Sequence, residues 1–452
     1  MTERHTEDDP QSPEGLRPSW SRSPRPVARR IVQPLQAFLE TETSSAVLLL
    51  SATLIALAWA NAPSGDSYAT FWGTELTIGL GRWSLSHDLR GWVSEGLMTM
   101  FFLLVGLELK RELLTGELRE RRAALLPIVA AVGGMVVSAA VYLAFTAGTD
   151  AASGFGAAMP TDVVFALAVL AIARGLPPGL KALLLALAIV DDLGSILVVA
   201  VTYPETIDLV PLVVAIALLA AYGALWRIQV RSVVVYVVIG VAAWVAVSEA
   251  GVSPTIVGAA LGLLTPAVAF QRPRAVSEEA HRVANRTVDE PTPPDADAAA
   301  WLSLGSLARE AVSPLARAEA FLLPWVSFVV VPLFALAYAG IEVSRGTVAD
   351  ALNTRLGVGL LASRLVGKPL GIVLAVAIAL ALGAALPEGV GRRHLIGMAV
   401  AAGIPFTVSL YIEQFSLPAA LHETATVAIL LAAIACGVAG FLILRVAGRR
   451  EG

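Results

Sequence analysis

Windows of about 20 mostly apolar residues recur from residue 44 to residue 444, and no other feature constrains the fold of this chain so tightly. At about 1.5 Å per residue, each window covers the ~30 Å hydrocarbon core of a bilayer. Apolar residues make up 56% of the 452 residues and charged residues only 15%. A soluble domain carries about 25% charged residues, so this composition fits a bilayer as its solvent. Twelve spans are expected: 44–62, 89–109, 123–144, 153–174, 180–203, 207–226, 231–249, 253–270, 318–341, 355–382, 394–416 and 420–444. The fold class is therefore an all-α polytopic membrane protein, with a transmembrane domain over 44–445.

Between the first two spans, Thr74–Asp88 alternates apolar and polar residues around Gly79 and Gly81 and reads as a small extracytoplasmic β-hairpin. Residues 1–43 are polar and rich in Pro and Arg, and they lack the apolar core of a signal peptide. They read as a cytoplasmic tail ending in a short interfacial helix at Ile31–Phe38, and 446–452 read as a second cytoplasmic tail. The longest break, 271–316, is rich in Pro, Ala and charge and reads as a flexible cytoplasmic loop. Placing both termini inside puts 26 of the 32 basic residues on the cytoplasmic side, with Arg82, Arg90, Arg345 and Arg355 outside. That excess fits the positive-inside rule. The single cysteine, Cys436, allows no internal disulfide, and neither an enzymatic cofactor nor nucleic-acid binding is called for.

A charge in mid-membrane costs at least ~2.5 kcal/mol on insertion scales, so such residues point to a pathway or a relay. Glu95, Asp162, Asp191, Asp192, Arg364 and Lys368 are the candidates. Asp191 and Asp192 lie near the centre of the fifth span, in ALAIVDDLGSILVV. Adjacent carboxylates repel and burial disfavours the charged form of both, which suits groups that alternate between a proton and a cation. Hard cations favour such oxygen ligands. Asp162 follows Pro160 in GAAMPTDVVFAL, where proline interrupts the helix and Thr161 or Asp162 can cap the helix resuming at Val163. The eleventh span repeats the pattern in AAGIPFTVSL, with Gly403 and Pro405 before Thr407 and Ser409. Two interrupted spans mark a transport site between structural repeats. Lys368 lies too deep in the tenth span to snorkel, and a neighbouring carboxylate would keep it charged. Arg364, one turn earlier, is expected to pair with Glu95. Glu108, in ELKRE at the end of the second span, is either a solvated helix end or the mouth of a cytoplasmic funnel.

FFLLVGLELKREL (101–113), PTDVVFAL (160–167), ALAIVDDLGSI (186–196), GKPLGI (367–372) and GIPFTVSL (403–410) resemble the signature segments of the NhaA family of sodium/proton antiporters. The similarity runs from about residue 40 to 445. It implies twelve helices, with the third to fifth and tenth to twelfth spans forming an inverted repeat whose broken fourth and eleventh helices cross. It implies Asp192 as the principal Na⁺ ligand, Asp191 sharing the site and pairing with Lys368, and Thr161 nearby. Asp162 and Lys368 would compensate the broken helix ends. The implied activity is electrogenic exchange of cytoplasmic Na⁺ or Li⁺ for external H⁺ by alternating access, in the bacterial inner membrane, by a homodimer contacting through the hairpin. The pattern departs at Ser253, where members often carry histidine, and at Ala320 and Leu323, where histidines are also absent, while Glu319 is kept. Two other readings compete: exchange of K⁺ or sodium-coupled solute uptake on the same fold, and an intramembrane aspartyl protease using Asp162 and Asp192. The missing Gly-x-Gly-Asp motif and the presence of Lys368 weigh against the protease.

Overall fold

The computed structural model describes residues 43–448, except 81–82, 117–118, 120, 204–206 and 290–293. The expected helix at 31–38, most of both tails and Arg82 lie outside the described residues. Without water to serve N–H and C=O groups, a chain this apolar closes its hydrogen bonds within helices. Helices account for all the expected apolar segments. In chain order they begin with α1 (Ser44–Ala60) and α2 (Asp66–Trp72), followed by the strands β1 (Glu75–Leu80) and β2 (Trp83–Asp88). The strands pair antiparallel from Glu75 opposite Asp88 to Leu80 opposite Trp83, so the expected hairpin forms.

The helices α3 (Leu89–Thr115) and α4 (Arg121–Thr146) come next. A 3₁₀ segment, Asp150–Ala158, then precedes α5 (Val163–Ala173), and the two meet at 48°. They are followed by α6 (Pro178–Thr202), α7 (Leu209–Leu225), α8 (Val233–Glu249) and α9 (Thr255–Leu264). Beyond them lie α10 (Pro273–Asp289), α11 (Pro294–Glu310), α12 (Pro314–Tyr338), α13 (Arg345–Asn353) and α14 (Arg355–Ala381). The chain ends in α15 (Arg392–Ala401), α16 (Thr407–Ser416) and α17 (His422–Gly448). Among the described residues, five helices are long and apolar enough to cross a membrane, and six if the bent pair counts as one span. Large apolar side chains face outward along α7 and α8, among them Val213, Ile216, Val234 and Val238. An apolar exterior of this kind belongs against lipid rather than water.

One expectation is corrected. Residues 271–316 contain the two helices α10 and α11, which pack together, in place of a flexible loop. Proline at the first position of each helix replaces an N–H that would have had no partner anyway. Gln271 and Glu310 close the pair at its base, the backbone N–H of Gln271 donating to the Glu310 carbonyl at 3.1 Å.

Glycines set the closest approaches. A Cβ on Gly106 would lie 2.4 Å from the Ala259 carbonyl oxygen, and one on Gly258 would lie 2.2 Å from that of Thr99. Backbone contact between α3 and α9 follows, the small-residue packing that membrane helices use in place of a hydrophobic drive. Between α4 and α14 the same device is Gly133 against Gly371, where a Cβ would come within 2.3 Å of the opposite carbonyl oxygen.

Candidate functional site

The two interruptions in the sequence meet in space, and one carboxylate joins them. Proline has no N–H to continue a helix, and Pro160–Asp162 run extended between the 3₁₀ segment and α5. The Asp162 Oδ1 accepts from the backbone N–H groups of Val164 and Phe165, both at 3.1 Å. Asp162 is thus the N-cap of α5, and Thr161 is left for another task. The Asp162 Oδ2 accepts from the N–H of Thr407 at 3.1 Å and from its hydroxyl at 2.8 Å, so the same side chain also caps α16. The backbone N–H of Asp162 donates to the Ile404 carbonyl at 2.9 Å. Two helix N-termini, each a partial positive charge, therefore converge on one buried anion.

The opposite ends carry the opposite demand, because the last carbonyls of a helical segment have no partner inside it. Four successive oxygens of the 3₁₀ segment and its exit are met by side chains. Ala157 accepts from Arg364 at 2.6 Å, Ala158 from the Ser138 hydroxyl at 2.6 Å, Met159 from the Lys368 ammonium at 2.5 Å and Pro160 from Arg364 at 2.5 Å. Across the crossing, the Thr161 hydroxyl lies 2.7 Å from the Ala402 carbonyl and 2.7 Å from the Asp191 Oδ2.

Asp191 and Asp192 sit on α6. Adjacent helical residues point about 100° apart, so the two carboxylates face different neighbours. Asp191 turns to α14, where its Oδ2 accepts from the Lys368 Nζ at 2.5 Å, and both side chains are fully buried. Space for that lysine comes from Gly134 on α4, where a Cβ would stand 3.3 Å from the Lys368 Cε. The Asp191 Oδ1 and the Asp192 Oδ1 are buried with no hydrogen-bond partner among the described residues. Asp162, Asp191, Lys368 and Glu108 all lie within electrostatic reach of Asp192. Buried carboxylate oxygens without donors are costly unless a proton or a cation satisfies them. The arrangement therefore leaves one oxygen of each aspartate open to a proton or a cation, with Lys368 bonded to the other oxygen of Asp191.

The other expected residues fall at different places. Glu108 is half-buried on α3 near Arg111, Glu112 and Glu319. The Arg111 guanidinium pairs with the Glu319 carboxylate and ties α3 to α12. Glu95 lies 3.7 Å from the His87 imidazole. The expected Arg364–Glu95 pair does not form. Arg364 is fully buried and turned toward the crossing, where bare carbonyls of the first break and the Ser409 hydroxyl, at 2.7 Å, accept from its two terminal nitrogens, while its Nε has no partner among the described residues. A sequence-based search for buried acids also passed over Glu413, fully buried on α16, whose Oε1 accepts from Thr426 at 2.6 Å. Its signal was an acid inside the apolar run TVSLYIEQF.

Comparison with known proteins fits this geometry. The family profile described as "Na+/H+ antiporter 1" matches residues 36–444. A protein of Anaeromyxobacter sp. (strain Fw109-5) named "Na(+)/H(+) antiporter NhaA" is 41% identical over 96% of both chains. The chain belongs to the NhaA family. Similar NhaA proteins include one of Sorangium cellulosum (strain So ce56), "Na(+)/H(+) antiporter NhaA 2", 40% identical over 93% of this chain and 92% of its own. Another, from Oleidesulfovibrio alaskensis, is 39% identical over 94% of this chain and 96% of its own. Every signature segment quoted above falls within the NhaA match. The Ser253 hydroxyl lies 2.8 Å from both the Thr255 and the Tyr411 hydroxyls, joining the start of α9 to α16.

Proposed function

We propose that this chain is a secondary Na⁺/H⁺ antiporter, a transporter and not an enzyme, which exports cytoplasmic Na⁺ or Li⁺ in exchange for external protons. It works from the bacterial cytoplasmic membrane, with both termini inside and twelve spans. Spans 3–5 and 10–12 form its inverted repeat. The observation that carries this reading is the buried Lys368–Asp191 pair beside an Asp192 oxygen that no donor among the described residues reaches, set between two helix breaks.

In this reading Asp192 binds the cation, with Asp191 and Thr161 completing the site. Lys368 neutralises Asp191 while the site is empty of cation. Cation and proton compete for the same oxygens, so the site can carry either but not both, and alternating access converts that competition into exchange. Releasing more than one proton per cation makes the cycle electrogenic. Asp162 holds the N-terminal ends of α5 and α16 against its carboxylate throughout. Glu108 and its acidic neighbours draw cations toward the cytoplasmic mouth. Two protomers associate through the β1–β2 hairpin. A site lined by carboxylate, hydroxyl and backbone oxygens favours a bare cation over an organic solute.

Reconstitution in liposomes with imposed Na⁺, Li⁺ and K⁺ gradients, reading internal pH, tests the assignment. Na⁺ and Li⁺ should move protons, and an Asp192→Asn protein should not. Cation-driven pH change that survives in D192N would refute the role of Asp192. K⁺-driven exchange of equal size would move the substrate assignment to K⁺.

A further inference from the structure

Arg364 belongs to none of the roles assigned above, yet it is fully buried and held by three hydrogen bonds. One terminal nitrogen donates to the Pro160 carbonyl. The other donates to the Ala157 carbonyl and, at 2.7 Å, to the Ser409 hydroxyl. The first two acceptors lie at the exit of the 3₁₀ segment, and the third lies on α16. The side chain itself leaves α14 from a single wide turn, Ser363–Gly367. One planar cation therefore joins three segments at the point where two interrupted helices meet.

We infer that Arg364 is a positioning residue that fastens the 150–158 segment to α16 and fixes the spacing of these two segments during transport. The alternatives are worse physically. A lysine offers one point of charge in place of a five-donor fork and cannot reach acceptors on two segments in one plane. An apolar residue would leave the Ala157 and Pro160 oxygens bare in a medium without water. Packing along the same seam is tight. A Cβ on Gly156 would stand 3.2 Å from the Ile412 Cγ2, and one on Gly154 would stand 2.6 Å from the Leu417 Cδ2. This inference rests on the antiporter reading for its assay, but the fastening can be tested separately.

The test is a covalent substitute for the clamp. Gly156→Cys and Ile412→Cys are introduced together, with the buried Cys436 left in place and each single variant as control. With Arg364 present, oxidising the pair should leave Na⁺-driven exchange within about twofold of the reduced protein. Arg364→Gln should lower turnover by up to about a hundredfold, the scale expected when a binding site is misplaced by an ångström. Forming the 156–412 disulfide in R364Q should restore most of that loss, and R364K should lie between R364Q and the parent. Rescue by a cross-link separates positioning from a contribution to cation binding, which a tether would not repair, and equal thermal unfolding of R364Q and the parent, both in the reduced state, separates it from a contribution to folding. If R364Q does not reach the membrane, the same rescue is read in R364K. Disulfide formation that abolishes exchange in the Arg364 protein overturns the inference, and so does failure of the cross-link to rescue. If the parent protein moves no protons with any cation, the antiporter reading fails instead. The clamp is then judged by whether R364Q slows formation of the 156–412 disulfide.

Discussion

Removing the carboxylate of Asp162 should damage the fold far more than removing that of Asp192, although both are buried acids a short distance apart. Asp162 accepts four hydrogen bonds, three from backbone N–H groups that begin α5 and α16 and one from the Thr407 hydroxyl. Asp162→Asn keeps one carbonyl oxygen, enough for Val164 and Phe165, but turns an NH₂ toward the Thr407 N–H. The Thr407 N–H and at least one N–H of the new amide are then stranded, at a cost of about 1–3 kcal/mol each. Asp162→Ala strands all three N–H groups and should cost about 3–9 kcal/mol by the same rule. The Asp192 Oδ1 has no partner among the described residues, so Asp192→Asn breaks no hydrogen bond there and leaves no backbone N–H without its acceptor. Its unfolding should match the parent or shift upward while exchange is lost. The assay is thermal or denaturant unfolding in one detergent, followed by circular dichroism, with exchange measured in everted vesicles. An order of stability of parent and D192N above D162N above D162A is expected. D162A within about 1 kcal/mol of the parent, or D162N as damaging as D162A, would refute the double-cap argument.

Three further outcomes follow from single contacts. Gly258→Ala places a methyl 2.2 Å from the Thr99 carbonyl oxygen and should destabilise the protein by about 1–3 kcal/mol, with a lower unfolding temperature and poor yield; a parent-like melt would refute backbone contact between α3 and α9. Thr161→Ala takes one of two donors from the Asp191 Oδ2 and should raise the KM for Na⁺ several-fold with the fold intact, measured as Na⁺-dependent pH change in vesicles. On the proposed association through β1–β2, deleting the 75–88 hairpin should lower the mass in size-exclusion chromatography with light scattering from two protomers to one, without abolishing exchange, and an unchanged mass would refute that association.

Much of the site was legible in the sequence because the penalties that reveal it are local. Two acids in ALAIVDDLGSI, a lysine deep in an apolar run and prolines at 160 and 405 violate rules that any membrane helix must obey. Each violation shows without knowledge of neighbours. Partners are another matter. Arg364 has the right charge and face to meet Glu95, but the fold offers it bare carbonyls from a break more than 200 residues away in sequence. Glu413 escaped notice because a lone acid inside a span announces burial only when the packing around it is known. Residues 271–316 read as a loop because their composition is polar and Pro-rich, yet prolines at helix starts and the packing of α10 on α11 make them helical.

The sequence by itself determined that this chain lives in lipid, where its apolar helices lie, where two of them break and which acids of the central spans are out of place. Period, hydropathy and proline act over a few residues, so they are written in order along the chain. Tertiary structure alone decided that the two breaks meet, that one Asp162 caps both, that Lys368 reaches Asp191 past Gly134, and that Arg364 ties 150–158 to α16. These are satisfied donors and acceptors from segments far apart in sequence, and only packing chooses which of them come within 3 Å.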